Sequence, residues 1–313
     1  MKFGLEHINF SYDGQGPQMV ESLKKLVSRA ESIGFDSFWV MDHFQQVGGV
    51  GEPYEPVLES WTTQAVVAGF SSRIKLGTLV TGIIYRHPSV LAKMAATLDV
   101  LSKGRLFMGI GAAWNQDEAK AYGIPFPATG ERFKRLEEAV QIIRKMWIEE
   151  RANFGGKFYQ IRDAYCNPKP VQKPHPPIMI GGSGERETLR IVAKYADACN
   201  LFVSDASVRK KLKVLRNHCR TFGRDYDSIL KTKLSHIMID RDKAGLEKRV
   251  AKRFQGAPQE RVRETTVYGT PEEIRRQVEA LRDAGIEYLI VNLEPDRELE
   301  AMDLFASEVL GKL

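Results

Sequence analysis

Short runs of apolar residues alternate along the chain with longer stretches in which apolar positions recur every three or four residues. The short runs are Phe3–Ile8, Ser37–Met41, Lys75–Thr81, Arg105–Ile110, Ile178–Ile180, Ala198–Val203, Lys231–Ile239 and Tyr288–Leu293. Several are nearly continuous in apolar residues, as strands buried on both faces must be. Between the fourth and fifth runs, Leu136, Val140, Ile143 and Trp147 recur at i, i+4, i+7 and i+11, an apolar stripe on a helix of about 18 residues. Thr270-Pro271-Glu272-Glu273 reads as an N-cap, a first-turn proline and a capping-box glutamate. Ile274, Val278 and Leu281 then share one face, and Gly285 is the stop. Alternating strand and helix patterns predict βα units on a parallel sheet. Eight such units in 313 residues, with no linker or shift in composition, predict a single α/β domain over 1–313, a closed (β/α)8 TIM barrel. Two stretches exceed the repeat and are expected to be inserted loops that shape a pocket: the glycine-rich Gln45–Pro56, and Arg151–Pro177. In the second, Gly155-Gly156 flanked by aromatic residues predicts a small hairpin ahead of a proline-rich run.

Composition and charge narrow the classes. Hydrophobic residues make up 43% and charged residues 27% of the chain, and no run approaches the ~18 apolar residues of a membrane-spanning helix. The N-terminus lacks the apolar core of a signal peptide, so a cytoplasmic protein with no membrane contact is expected. Cys166, Cys199 and Cys219 are too scattered for a disulfide framework and form no Cys-x-x-Cys pair, and no metal is expected. The net charge of +6 is uneven: residues 206–263 hold 17 Lys and Arg against 6 Asp and Glu. Two helix-like runs, Arg209–Lys213 and Lys248–Arg253, carry much of that excess. It reads as a solvated helix face or a surface for an anionic cofactor or substrate; no motif for nucleic acid accompanies it.

In a barrel the reactive groups gather where strands end and βα loops begin. The second strand ends in Asp42-His43, an acid beside a group that can accept or donate a proton near neutral pH. His7 lies near the end of the first strand and can line the same cavity, whereas His87, His175, His218 and His236 read as structural. The fifth strand runs into Gly181-Gly182-Ser183-Gly184 before a helical pattern, a bare backbone turn that suits a phosphate, with Ser183 as helix cap or phosphate ligand. The third strand, with Thr78, and the fourth, Gly109 to Asn115, close in small residues that either leave room for a flat ring or pack strand against helix.

The chain resembles the luciferase-like flavin and deazaflavin oxidoreductases. The resemblance rests on Asp42-His43, Leu76–Thr81, Tyr85-Arg86-His87-Pro88 leading into Ala92–Asp99, Ser102–Leu106, Gly109–Asn115 and Gly181–Glu185, and it spans nearly the whole sequence. Members are (β/α)8 barrels, usually homodimers, that bind FMN or coenzyme F420 at the mouth and act on small molecules. The resemblance implies a non-prolyl cis peptide at Leu79-Val80 behind the cofactor ring, with Thr78 beside it. It places Asn115 near the ring or its ribityl chain, Gly181, Gly182 and Ser183 on the phosphate, and catalytic His43 at the site of hydride transfer next to Asp42. Asp42-His43 and Gly111–Asn115 look more like the F420 branch, and the basic region could meet that cofactor's polyglutamate tail. Val47 stands where the branch's sugar-phosphate and alcohol dehydrogenases carry an active-site tryptophan, and Ala112 where they carry a catalytic glutamate. A reductase with His43 or water as proton source is therefore expected. The alternatives are an FMN-dependent monooxygenase and a non-redox phosphate-binding barrel, a lyase or isomerase.

Overall fold

The eight apolar runs become the eight staves of one closed ring. The computed structural model describes residues 1–12, 14, 16–255, 262 and 266–312. In chain order the strands are β1 (Lys2–His7), β2 (Ser37–Val40), β3 (Lys75–Thr78), β4 (Thr81–Gly82), β5 (Leu106–Gly111), β6 (Ala152–Gly155), β7 (Gln160–Ala164), β8 (Ile178–Gly181), β9 (Ala198–Leu201), β10 (Leu230–Ile239), β11 (Thr266–Gly269) and β12 (Tyr288–Asn292). The ring runs β1-β2-β3-β5-β8-β9-β10-β12 and closes where β12 pairs with β1, all parallel. Fold class and the eight staves of the ring match the reading of the sequence.

Side-chain alternation explains why the strands read as continuously apolar. Leu5, Phe38, Val40, Leu76, Met108, Ile180, Leu201 and Val291 point outward into the large core under the helices. Trp39, Phe107, Met179, Ala198 and Ile290 fill the barrel interior. The indole of Trp39 fits because its neighbours are glycines: a Cβ on Gly77 would lie 2.2 Å from Trp39 Cζ3, and one on Gly4 2.7 Å from Nε1. The predicted stripe forms the helix Thr129–Ile148, with Leu136, Val140, Ile143 and Trp147 buried. Thr270 caps Pro271–Asp283 through a complete capping box.

Three features depart from the sequence reading. The predicted third strand, Lys75–Thr81, is split: β3 stops at Thr78, the Leu79-Val80 peptide is cis, and β4 resumes along Ile110 and Gly111. Strand β11 went unforeseen; it pairs in parallel with the outer end of β10, which is ten residues long. Insertion 151–177 does form the hairpin β6-β7, but it does not shape the mouth. It joins a helix end to a strand start and packs along the outside, where Glu138 accepts from the backbone N–H groups of Lys157, Phe158 and Tyr159. Tyr159 also meets the ring of His87 edge-on.

The two basic runs lie in helices Val208–Phe222 and Lys243–Arg253. Part of their charge is paired, Lys210 and Lys211 with Glu185 and Arg249 with Asp240 and Glu294. Residues 256–261 and 263–265 of the basic stretch lie outside the described residues. All three cysteines are free and buried, and burial pushes the Cys199 thiol up to about 12. No helix among the described residues is long and apolar enough to cross a membrane.

Candidate active site

Strand β2 delivers Asp42 and His43 to the mouth, and a short helix, Gln116–Ala121, delivers the group that holds His43. Asn115 caps that helix, its side-chain oxygen accepting from Glu118 N at 3.2 Å, which fixes the first turn and turns Glu118 inward. Glu118 is fully buried and accepts from four groups. His43 Nδ1 lies 2.8 Å from Oε2, the Tyr85 hydroxyl donates to the same oxygen, and the N–H groups of Phe44 and Gln45 reach Oε1 at 2.6 and 3.2 Å. Burial alone would raise the Glu118 carboxyl, but hydrogen bonds from His43, Tyr85 and Phe44 outweigh it and hold the group below the usual carboxylate range. Burial and the bond to Glu118 push the Tyr85 hydroxyl upward, so it stays a donor. A carboxylate on Nδ1 places the proton there and makes Nε2 the working nitrogen of His43. The His43 side chain is 12% exposed, with the exposed Trp114 ring edge-on at 5.5 Å.

Asp42 is held differently. Its carboxylate is buried, bridged by Arg86 at 2.7 and 3.0 Å and by the Ser60 hydroxyl at 2.5 Å, and Arg86 also reaches Glu59. Asp42 therefore anchors the base of the His43 loop. Thr78 Oγ1 pairs with Thr81 Oγ1 at 2.7 Å, tying the two sides of the cis step together. The glycines around that step have a defined use. A Cβ on Gly111 or Gly181 would lie 2.8 Å from Val80 Cγ2, and one on Gly109 would strike Thr78 O at 2.0 Å. The small residues seat the Leu79-Val80 step, which in turn stands half-buried at the mouth. Gly182 has φ +118, and Ser183 spends its hydroxyl on Phe202, accepting from N at 3.0 Å and donating to O at 3.3 Å. It does not cap the next helix, which begins five residues later at Thr188. Val47 packs with Ile8 and Met41, and Ala112 offers its carbonyl to Arg132.

The opposite side of the mouth is built from β1, β10 and β12. Glu6, Asn292 and His236 are register partners across these three strands, on the interior face shared with Trp39. Glu6 is buried, and desolvation raises its carboxyl to about 8, with the Glu298 charge adding to the rise against the Asn292 side chain and His7. Asn292 Nδ2 and Asn200 Nδ2 are buried without a hydrogen-bond partner. Beside them lies a cavity of about 410 Å3 lined by Ile8, Val50, Phe202, His236, Phe254 and Asn292, among others.

The structure thus brings Asp42, His43, Thr78, Leu79, Val80, Asn115, Gly181, Gly182 and Ser183 to one end of the barrel, at or just beyond the ends of β2, β3, β5 and β8. Residue-by-residue reading missed Glu118, Tyr85 and Arg86 as members of the site. The signal for Glu118 was present: an Asx cap at Asn115 with an acid three residues on marks a capped first turn that can aim the acid at a neighbour. The departure at Ala112 does not leave the site without an acid, because Glu118 supplies one on the next turn of chain.

Comparison with known proteins identifies the family and the fold. The family described as luciferase-like monooxygenase matches residues 1–255. An uncharacterised protein of Mycobacterium tuberculosis is 32% identical over 209 residues, covering 63% of this chain and 73% of that protein. An F420-dependent glucose-6-phosphate dehydrogenase of Intrasporangium calvum is 29% identical over 91% of this chain and 92% of its own length. Among solved structures, the coenzyme F420 dependent tetrahydromethanopterin reductase of Methanopyrus kandleri superimposes with a TM-score of 0.81 over 99% of this chain and 98% of that one, at 20% identity. The EDTA monooxygenase of Chelativorans sp. BNC1 gives 0.84 over 99% and 92%, at 16% identity. The chain belongs to the luciferase-like monooxygenase family.

Proposed function

We propose that this member of the family is a coenzyme F420-dependent oxidoreductase that moves hydride between the deazaflavin and a small organic substrate, working as a reductase. The observation that carries the reading is the clamp on His43: a buried, ionised Glu118 fixes Nδ1 and leaves Nε2 at the mouth. The long match to F420-dependent glucose-6-phosphate dehydrogenases supports the choice of cofactor.

The residues fit such a group. Gly181 and Gly182, the latter at φ +118 with its N–H on the Asn200 carbonyl, would leave the phosphate room to approach, and the Ser183 N–H ahead of the helix would hold it. Leu79 and Val80, propped by Gly111 and Gly181, would back its ring with Thr78 beneath, and Asn115 would border the ribityl chain. When bound, the deazaflavin supplies or accepts hydride. The chain does the rest. Asp42, pinned by Arg86, sets the height of the His43 loop. Glu118 fixes the ring through Nδ1, so His43 can hand a proton to the substrate from Nε2. Glu118 cannot itself be that donor, because four hydrogen bonds hold it ionised.

The test is a fluorescence titration of the protein with coenzyme F420 and, separately, FMN. Micromolar or tighter F420 binding with weaker FMN binding is expected. The reverse preference, with substrate-dependent oxygen uptake, would replace this reading with an FMN-dependent monooxygenase. His43→Ala should cut turnover by roughly 10²- to 10⁴-fold while F420 affinity stays within a few-fold.

A further inference from the structure

The cavity across the mouth from His43 has a built chemistry of its own. Its walls are apolar, from Ile8, Val50, Phe202 and Phe254, and its volume is about 410 Å3, within the range of small-molecule sites. Phe202, whose backbone brackets the Ser183 hydroxyl, ties one wall to the turn assigned to the cofactor phosphate. At its polar side stand Asn292 and His236, in register on β12 and β10, with Glu6 next in the row on β1. Asn292 is 3% exposed and its Nδ2 has no partner. A buried donor left unpaired costs about 1–3 kcal/mol, and a ligand acceptor placed on it recovers that cost. Among the described lining residues the only Lys or Arg is Arg253, which is exposed at the rim. Glu294, also on the lining, is already paired with Arg249. Lys233, whose charge acts on His236, is paired with Asp205, so among the described residues no free cation stands at the inner end, and burying an anion without one is prohibitive.

Resting on the hydride-transfer reading, we infer that this cavity is the substrate site and that it takes an uncharged, largely apolar molecule whose carbonyl-type acceptor is held by the Asn292 amide. The site thereby differs in ligand class from one for a sugar phosphate. His236, with its ring edge-on to Phe202 at 5.5 Å, closes the polar end, and burial keeps its imidazole below the usual value and so uncharged at neutral pH.

Calorimetric titration with cyclohex-2-enone, with and without saturating F420, tests this. The enone is expected to bind, glucose 6-phosphate to leave its binding unchanged, and Asn292→Leu and the isosteric Asn292→Asp each to weaken it about tenfold. F420 affinity and the far-ultraviolet circular dichroism of both variants should stay at the parent's values, which separates loss of the anchor from loss of the fold. Absence of enone binding, or enone affinity in both variants equal to the parent's, overturns the assignment. So does displacement of the enone by glucose 6-phosphate when that displacement disappears in Arg253→Ala. F420 binding without enone binding sinks this inference alone; enone binding to a protein that ignores F420 keeps the pocket and sinks the oxidoreductase reading.

Discussion

The two sides of the barrel mouth solve the same problem in opposite ways. On the β2 side the groups around His43 are matched within the protein: Glu118 takes four donors, Asp42 takes Arg86 and Ser60, and Thr78 takes Thr81. On the β1, β10 and β12 side the chain buries a carboxyl whose desolvation its neighbours do not offset, and two amide nitrogens that it does not pair. A fully satisfied network is rigid and fixes geometry before anything binds, whereas an unsatisfied one acquires its partner from outside. The first suits a proton carrier that must not move; the second suits recognition.

That contrast can be broken from either side, and pH offers the widest swing. Glu6 releases its proton at about 8 when folded, against 4.5 as the ordinary value, so between those pH values the folded chain holds a proton that the unfolded chain loses. Its contribution to stability is complete below about 4.5 and disappears as pH rises through about 8, a swing bounded by roughly 5 kcal/mol. The groups facing it are His7, Glu298 and Asn292. Urea midpoints from pH 5 to 9 should decline in the parent relative to Glu6→Gln, and parallel curves would remove Glu6 from the account. On the other side, Arg86→Ala strands Asp42 and should cost about 3–5 kcal/mol in the same assay; a loss under about 1 kcal/mol would show that the ion pair is not a structural anchor. Glu118→Gln keeps the shape but weakens a charge-assisted bond of about 1.5–3 kcal/mol. Turnover should fall about ten- to hundredfold and the pH optimum should move, with F420 affinity unchanged; an unmoved pH profile would reduce Glu118 to packing. Tyr85→Phe, the mildest, removes one of two donors on Oε2 and should cost about 0.5–1.5 kcal/mol, read from unfolding.

The fold was legible because its strands are buried on both faces and its helices carry plain stripes, so period and position agreed. Strand β11 was not, because Thr266–Gly269 is neither apolar nor alternating and is placed by pairing with an overlong β10. His43, Asp42 and the glycine turn could be read because barrel chemistry sits where strands end. Glu118 and Arg86 could not be read that way, since each reaches the site from a loop or helix after a different strand. Their partners lie 75 and 44 residues away in the chain. Residue types at strand ends also failed to show that Gly109, Gly111 and Gly181 make room for the chain's own Val80; only the folded packing reveals what a Cβ would hit. Asn292 was invisible for a related reason, as its lack of a partner is a property of the assembled interior.

One carboxylate that serves four donors from two separate stretches of chain has an evolutionary corollary. Substitutions at His43, Tyr85, the Phe44-Gln45 turn or Glu118 are not independent, because each changes what the other three are worth, and double-mutant cycles among them should show strong epistasis. Asn292, Val50, Phe202 and Phe254 share no such hub, so a lineage or a selection experiment can exchange them one at a time. New substrates should therefore be reached through that half of the mouth, in single steps, while the His43 clamp is inherited as a block.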